Sequence, residues 1–256
     1  MNFVNKTVII TGGGSGIGKK AAELFVKFGA NVIINGRNDK KLQTAVNDID
    51  PSGKKVSYVS GDISLPDTSK KLVKKAIELF GSVDILVNNT GKFVPTDFLN
   101  YQPDDIQSYL DTIVKGTVYP SQAVIPEMKK AGKGVIINTG SMWALNPVEA
   151  TPSAIYSAAM AARHALTKNM ALEFAKDQIR VNAVAPSVVE TPIYNNFLSK
   201  DEVSKVLNSF NDFHPLGRNG QTIDVANAIL FLASDESAWT TGVILPVDGG
   251  VTSRIR

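Results

Sequence analysis

The sequence predicts a doubly wound α/β fold, a parallel sheet of about seven strands with helices on both faces. Three observations carry this. Short β-branched runs alternate with longer helical patterns along the chain. Several runs are almost wholly apolar, as expected of strands covered on both faces. A glycine-rich turn joins the first strand pattern to the first helical one.

The first run is Val8 to Thr11, VIIT. A helix follows, with Ile17, Ala21, Leu24 and Phe28 recurring at helical spacing. Later runs are Val32 to Asn35, Val56 to Val59, Ile85 to Val87, Val135 to Asn138, Val181 to Ala185 and Val243 to Leu245. Helical patterns lie between most of them, which gives parallel strands with right-handed crossovers. There is no repeat, low-complexity tract or linker, so residues 1–256 are expected to form a single domain with one core. Pro186 to Lys200 lacks periodicity and contains two prolines. Residues 186–215 are therefore expected to hold a lid or substrate loop.

Composition narrows the function. Hydrophobic residues make up 43% of the 256, so the chain is globular. The absence of cysteine excludes disulfides and thiolate metal sites and suits a reducing, cytoplasmic setting. The N-terminus lacks the pattern of a signal peptide, and no apolar run approaches membrane-spanning length. Twenty-seven basic and 24 acidic residues give a net charge of +3, which is not the signature of a nucleic-acid binder. Lys70 to Lys75, KKLVKK, reads as a solvated helix face with Leu72 and Val73 turned inward.

Thr11 to Gly18 reads TGGGSGIG. Glycine permits a tight turn and lets backbone amides approach a diphosphate, and the following helix N-terminus favours negative charge. Gly12, Gly14, Ser15, Gly16, Ile17 and Gly18 are the candidate phosphate-binding residues.

The spacing of Gly12, Gly16 and Gly18 resembles that of the classical short-chain dehydrogenase/reductase family. NNTG at Asn88 to Gly91, GDI at Gly61 to Ile63, INTGS ending at Ser141, IRVNAVAP at Ile179 to Pro186, Thr191-Pro192 and VDGG at Val247 to Gly250 are similar to that family's elements, in the same order. The resemblance covers essentially the whole chain. It implies a nicotinamide cofactor held by the glycine loop with Asp62, Ile63, Asn89, Thr90, Gly91, Tyr156, Pro186, Val189 and Thr191. It also implies a small-molecule carbonyl or alcohol substrate, no metal, and a homodimer or homotetramer built on helices beginning near Pro103 and Ser153.

The second strand ends Asn35-Gly36-Arg37. A carboxylate there would hold the adenine ribose hydroxyls and repel a 2′-phosphate. Gly36 removes it, and Arg37 offers a planar fork for phosphate. NADP(H) is therefore favoured and NAD(H) remains possible, since Ser15 stands where many NADP-preferring relatives carry a basic residue.

The resemblance further implies a catalytic serine and tyrosine, a lysine one turn after the tyrosine, and an asparagine that anchors a relay water. Ser141 and Tyr156 match the first two. Between them, MWALNPVEATPS reads as a loop. Met160 stands at the lysine position and Ile113 at the asparagine position. A cation about 4 Å from a phenolate contributes at most about 4 kcal/mol at an effective dielectric of 20, or about three pKa units. Without one, Tyr156 stays neutral at neutral pH and the proton relay is weakened. Arg163 projects near the same helix face but reaches the site only if the helix packs unusually. Arg163 and His164 are instead expected at a subunit contact or in solvent. His214 is expected to be structural. Met142, Trp143, Phe93 and Phe197 are candidates for a substrate pocket. The expected function is an NADP(H)-dependent short-chain oxidoreductase. The alternative is a dinucleotide-binding protein with little or no turnover.

Overall fold

The computed structural model describes residues 1–149 and 151–254. Its strands are β1 (Thr7–Thr11), β2 (Asn31–Gly36), β3 (Val56–Ser60), β4 (Ile85–Asn88), β5 (Gly134–Thr139), β6 (Ile179–Pro186) and β7 (Ile244–Val247). They form one sheet in the order β3-β2-β1-β4-β5-β6-β7, with every pair parallel. The helices are α1 (Gly16–Lys27), α2 (Asp39–Ile49), α3 (Pro66–Phe80), α4 (Pro103–Tyr109), α5 (Gly116–Lys130), α6 (Ala154–Glu173), α7 (Lys200–Ser209) and α8 (Thr222–Ala233).

Alternation along each strand explains the two-sided core. Val8, Ile10, Val32 and Ile34 pack with Phe25 of α1, Leu42 of α2 and Ile229 of α8. Ile9, Ile33 and Leu86 face the other way, onto Leu72 of α3, Val124 and Met128 of α5 and Ala171 of α6. Ile9 pairs in register with both Ile33 and Leu86, so the central strands share one pleat.

All seven expected strands are present, with ends shifted by a residue or two. The last is moved toward the C-terminus: Val243 lies outside it and Val247 inside. Leu72 is buried under the Lys70–Lys75 face, while Lys75 lies half-buried and donates to the Tyr58 carbonyl. The stretch after Pro186 is less irregular than its composition suggested. It holds a 3₁₀ turn at Pro192–Asn196 and then α7, whose capping box joins Ser199 and Glu202. Ala150, in the loop expected between Ser141 and Tyr156, is outside the described residues.

The connection from α4 to α5 positions part of the site. Leu110–Lys115 winds as a π-helical turn between them. Such turns insert one extra residue into a helix. Among the described residues, no helix is long and apolar enough to cross a membrane.

Candidate active site

The strand order reverses between β1 and β4, and a crevice opens at their C-terminal ends. Thr11 fastens the two ends together. Its Oγ1 accepts from the Asn89 and Thr90 amides at 3.0 and 3.1 Å. The Asn89 side chain donates back to the Thr11 and Gly12 carbonyls. Gly12 and Gly16 have φ of +66° and +56°, so the loop needs glycine at both. Ser15 is the N-cap of α1, but its side chain makes no capping bond, which leaves first-turn amides open to an anion. An open cradle of backbone N–H groups on a helix N-terminus fits a dinucleotide diphosphate.

A cavity of ≈ 320 Å³ runs from this loop to the end of β5. Gly12, Ser15, Gly16 and Ile17 line one end, and Asn89, Thr90 and Gly91 the middle. Ser141, Tyr156 and Met160 line the other end, with Pro186, Val189 and Thr191 across from them. Gly14, Arg37, Asp62 and Ile63 border an adjoining hollow that shares Thr90 and Gly91.

Two expected site residues line neither space. Gly18 lies beneath the loop, where an added Cβ would sit 2.5 Å from the Gly12 carbonyl oxygen, so its role is close packing of helix on strand. Ile113 is fully buried in the π turn and packs with Tyr109, Ala159 and Met160. The expected pocket wall also needs correction. Phe93 and Trp143 line the cavity, but Met142 and Phe197 do not. Met142 is buried, and Phe197 packs on Phe93 at 5.9 Å between ring centres.

The larger correction concerns α6. Arg163 is neither at the surface nor in solvent; it is fully buried. Its Nε donates to Thr117 Oγ1 at 2.8 Å, and Nη1 to the Thr139 carbonyl at 2.6 Å. Nη2 donates to the carbonyls of Thr90 and Ile113, at 2.9 and 3.1 Å. The guanidinium thus ties together the ends of β4 and β5 and the π turn. Burial lowers its pKa from the usual arginine value, yet it stays a full cation at neutral pH.

The anchor belongs to a larger buried network. Ser121 donates to the Thr117 carbonyl, and Asn88 donates to Ser121 and to Asn138. Asn138 donates to Thr167, which donates to the Arg163 carbonyl and closes the ring.

His164, expected outside, is also buried. The Ser141 amide donates to its Nε2 at 3.3 Å, which fixes the neutral tautomer with the proton on Nδ1. Burial, then the charges of Arg163 and Lys168, push its pKa down to about 4. It braces the backbone that carries Ser141. His214 is structural as expected, between the Phe210 carbonyl and Ser187 Oγ.

Tyr156 is held by neighbouring rings: Phe93 meets it edge-on at 4.9 Å between centres, and Tyr109 at 6.3 Å. Burial raises its pKa above 10, while the neighbouring Ser141 hydroxyl and the charge of Arg163 pull the other way. Burial likewise pushes Tyr109 up to about 12, and raises Tyr194 further.

The sequence reading missed Lys41 and Tyr194, which also line the cavity. Asn38 caps α2 by accepting from the Lys41 amide, which sets Lys41 in the first turn; its stem lies near Gly14. The signal was the basic cluster in GRNDKK, directly after the second strand.

Comparison with known proteins agrees with this geometry. Residues 12–252 match the family model described as enoyl-(acyl carrier protein) reductase. A 3alpha-hydroxysteroid dehydrogenase of Mediterraneibacter gnavus is 39% identical over 260 residues, covering 99% of each chain. ElxO, solved with NADP bound, superposes with a TM-score of 0.89 at 31% identity, covering 97% of this chain and 99% of its own. The 3-ketoacyl-(acyl-carrier-protein) reductase of Brucella melitensis, solved with NADH, gives a TM-score of 0.89 at 32% identity, covering 98% and 100%. Strand order, glycine cradle and the Ser141–Tyr156 pair thus stand beside relatives named for oxidation and reduction: the chain belongs to the short-chain dehydrogenase/reductase family and is a nicotinamide-dependent oxidoreductase.

Proposed function

We propose that the protein interconverts a neutral, largely apolar carbonyl compound and its alcohol, with NADP(H) preferred over NAD(H). The observation that carries this is the Ser141–Tyr156 pair at one end of a cavity whose other end meets basic residues. Arg37 and Lys41 both border the adenosine hollow, and neither forms an ion pair among the described residues. Lys41 supplies the basic group that Ser15 does not. The glycine loop would hold the diphosphate, and Asp62 and Ile63 would border the adenine. Asn89, Thr90 and Gly91 would line the nicotinamide end with Pro186, Val189 and Thr191.

The bound cofactor supplies or accepts the hydride. The rest is the work of this chain. The Ser141 hydroxyl and the Tyr156 phenol donate hydrogen bonds to the carbonyl oxygen and stabilise the negative charge that grows there. Tyr156 then gives its proton to the alkoxide. Its raised pKa suits an acid, so the alcohol-oxidation rate should climb toward high pH, where the phenolate forms. With Met160 and Ile113 replacing the family's lysine and asparagine, the relay that reprotonates Tyr156 is weakened.

Among described cavity residues, Lys41 alone is charged, and it lies at the dinucleotide end. The substrate end has Phe93, Trp143, Tyr194 and Ile193. This supports a neutral substrate with a bulky apolar body, in keeping with a hydroxysteroid dehydrogenase among the relatives. We further read residues 1–256 as one domain, residues 186–215 as the lid, and the working form as a cytoplasmic homodimer or homotetramer. Met160 and Ile113 favour a second reading, a dinucleotide-binding protein with little turnover.

The test is NADPH consumption over ketones, aldehydes and ring ketones, beside calorimetric binding of NADPH and NADH. Turnover that Tyr156→Phe abolishes without loss of NADPH binding supports the first reading. Tight binding with no turnover on any compound supports the second.

A further inference from the structure

We propose that Arg163 is the cation of this site: its guanidinium, anchored from one turn beyond Met160, sets the acidity of Tyr156 in place of a lysine at 160. This rests on the reading of Tyr156 as the proton donor.

The geometry begins with a charge that has no carboxylate. Among the described residues no acidic side chain pairs with Arg163; its acceptors are three backbone carbonyls and one hydroxyl. A buried cation without an anion is costly and favours negative charge nearby. Among the described residues, Tyr156 is the one ionisable group that favours the charge on Arg163.

Three positions agree in space. Residues 156, 160 and 163 follow one another at helical spacing on α6. Met160 lies beside Gly91, and Arg163 bonds the carbonyl of Thr90, the residue before it. Arg163 also occupies the backbone carbonyl of Ile113, at the position where the family's asparagine anchors its relay water. Met160, Ile113 and the Arg163 guanidinium thus fall in one volume.

The other groups near Tyr156 do not supply this charge. Tyr109 from the α4 end and Tyr194 from the turn after β6 stay neutral. His164, next on α6, stays neutral near pH 7. Ser141 contributes a hydroxyl, and Lys41 lies toward the glycine loop. Arginine does not release its proton at working pH, so Arg163 tunes Tyr156 without relaying protons to it. Arg163 is therefore a positioning residue, and Tyr156 must be reprotonated from the cavity side.

The test uses the cofactor-free protein. The ultraviolet phenolate signal of Tyr156 is isolated by subtracting the Tyr156→Phe titration. Arg163→Met should raise the Tyr156 pKa by at least one unit, and Arg163→Lys should leave it within half a unit. The double variant Met160→Lys/Arg163→Met should restore it. With substrate present, the pH profile of alcohol oxidation should move by the same amount. An unchanged phenol titration in Arg163→Met overturns the proposal. Should Arg163→Met fail to fold, the Arg163 Nε nitrogen resonance of the unaltered protein is followed through the phenol titration. Its shift should track Tyr156 and vanish in Tyr156→Phe; a resonance that does not move overturns the proposal equally. Full turnover in Tyr156→Phe would instead remove the reading of Tyr156 as acid, so the two failures are distinguishable.

Discussion

Met160→Lys puts the family's lysine back, but into a site that already holds Arg163. Methionine and lysine are similar in length and unbranched, and Met160 lines the cavity, so the ammonium has room. Charge governs the outcome. Side chains at i and i+3 on a helix begin about 6 Å apart, and two cations at that distance repel by about 3 kcal/mol at an effective dielectric of 20. That moves the new lysine from about 10.4 to about 8. A lysine whose folded pKa lies below its unfolded value binds its proton more weakly in the folded state. The penalty is then full below about pH 8 and fades as pH rises to about 10.4. Met160→Lys should therefore lose roughly 6–12 °C of melting temperature at pH 7 and recover most of it by about pH 10. In an Arg163→Met background the same exchange should cost little at either pH. Differential scanning calorimetry of the four proteins forms a complete cycle. A Met160→Lys deficit that neither changes with pH nor depends on Arg163 would refute the claim that both charges share one volume.

Arg37→Ala and Lys41→Ala should each weaken NADPH binding by roughly 10- to 100-fold, the loss expected of a charged hydrogen bond, and leave NADH nearly unchanged; calorimetry with both nucleotides decides. His164 should make the protein acid-sensitive. Its pKa falls from 6.5 to about 4 on folding, so the unfolded chain takes up the proton first. Stability is then full above pH 6.5 and declines by roughly 3 kcal/mol as pH falls toward 4. Urea unfolding of His164→Gln should show a flatter decline, with His214 supplying part of what remains. Gly140→Ala would set a Cβ 2.0 Å from His164 Nε2, and should destabilise by about 1–3 kcal/mol or more, relieved in part by His164→Ala.

Much of this was legible because it is written in local patterns. Apolar runs marked the seven strands, and glycine spacing with its flanking elements marked the cradle. Ser141 and Tyr156 were found through motif resemblance and do line one cavity. Arg163 was not legible for a physical reason. Its partners are backbone carbonyls at two strand ends and a turn, and a carbonyl leaves no mark on a sequence. Periodicity placed the residue near the correct helix face, but a charged side chain without a visible anion reads as exposed. The buried His164 was hidden similarly, since its space is granted by Gly140, 24 positions earlier. The π turn was invisible because its residues, LDTIVK, are compatible with ordinary helix.

That turn also decides how this region can change length. An α-helix rotates by about 100° per residue, so a single deletion turns everything after it by more than a quarter of a circle. If one residue were lost between 110 and 115, ordinary helix could run on unbroken. The π turn absorbs that one residue, so Tyr109 and Thr117 would keep nearly their present phase, and the loss of a second would shift it. With Tyr109 held, Thr117 and Ser121 would swing away from Arg163 and Asn88. With α5 held, Tyr109 would leave the Val94 backbone that its hydroxyl now bridges. The segment can exchange side chains one at a time and can shed the one residue that the π turn absorbs, but it cannot shed a second without dissolving either the floor beneath Tyr156 or the wall beside it.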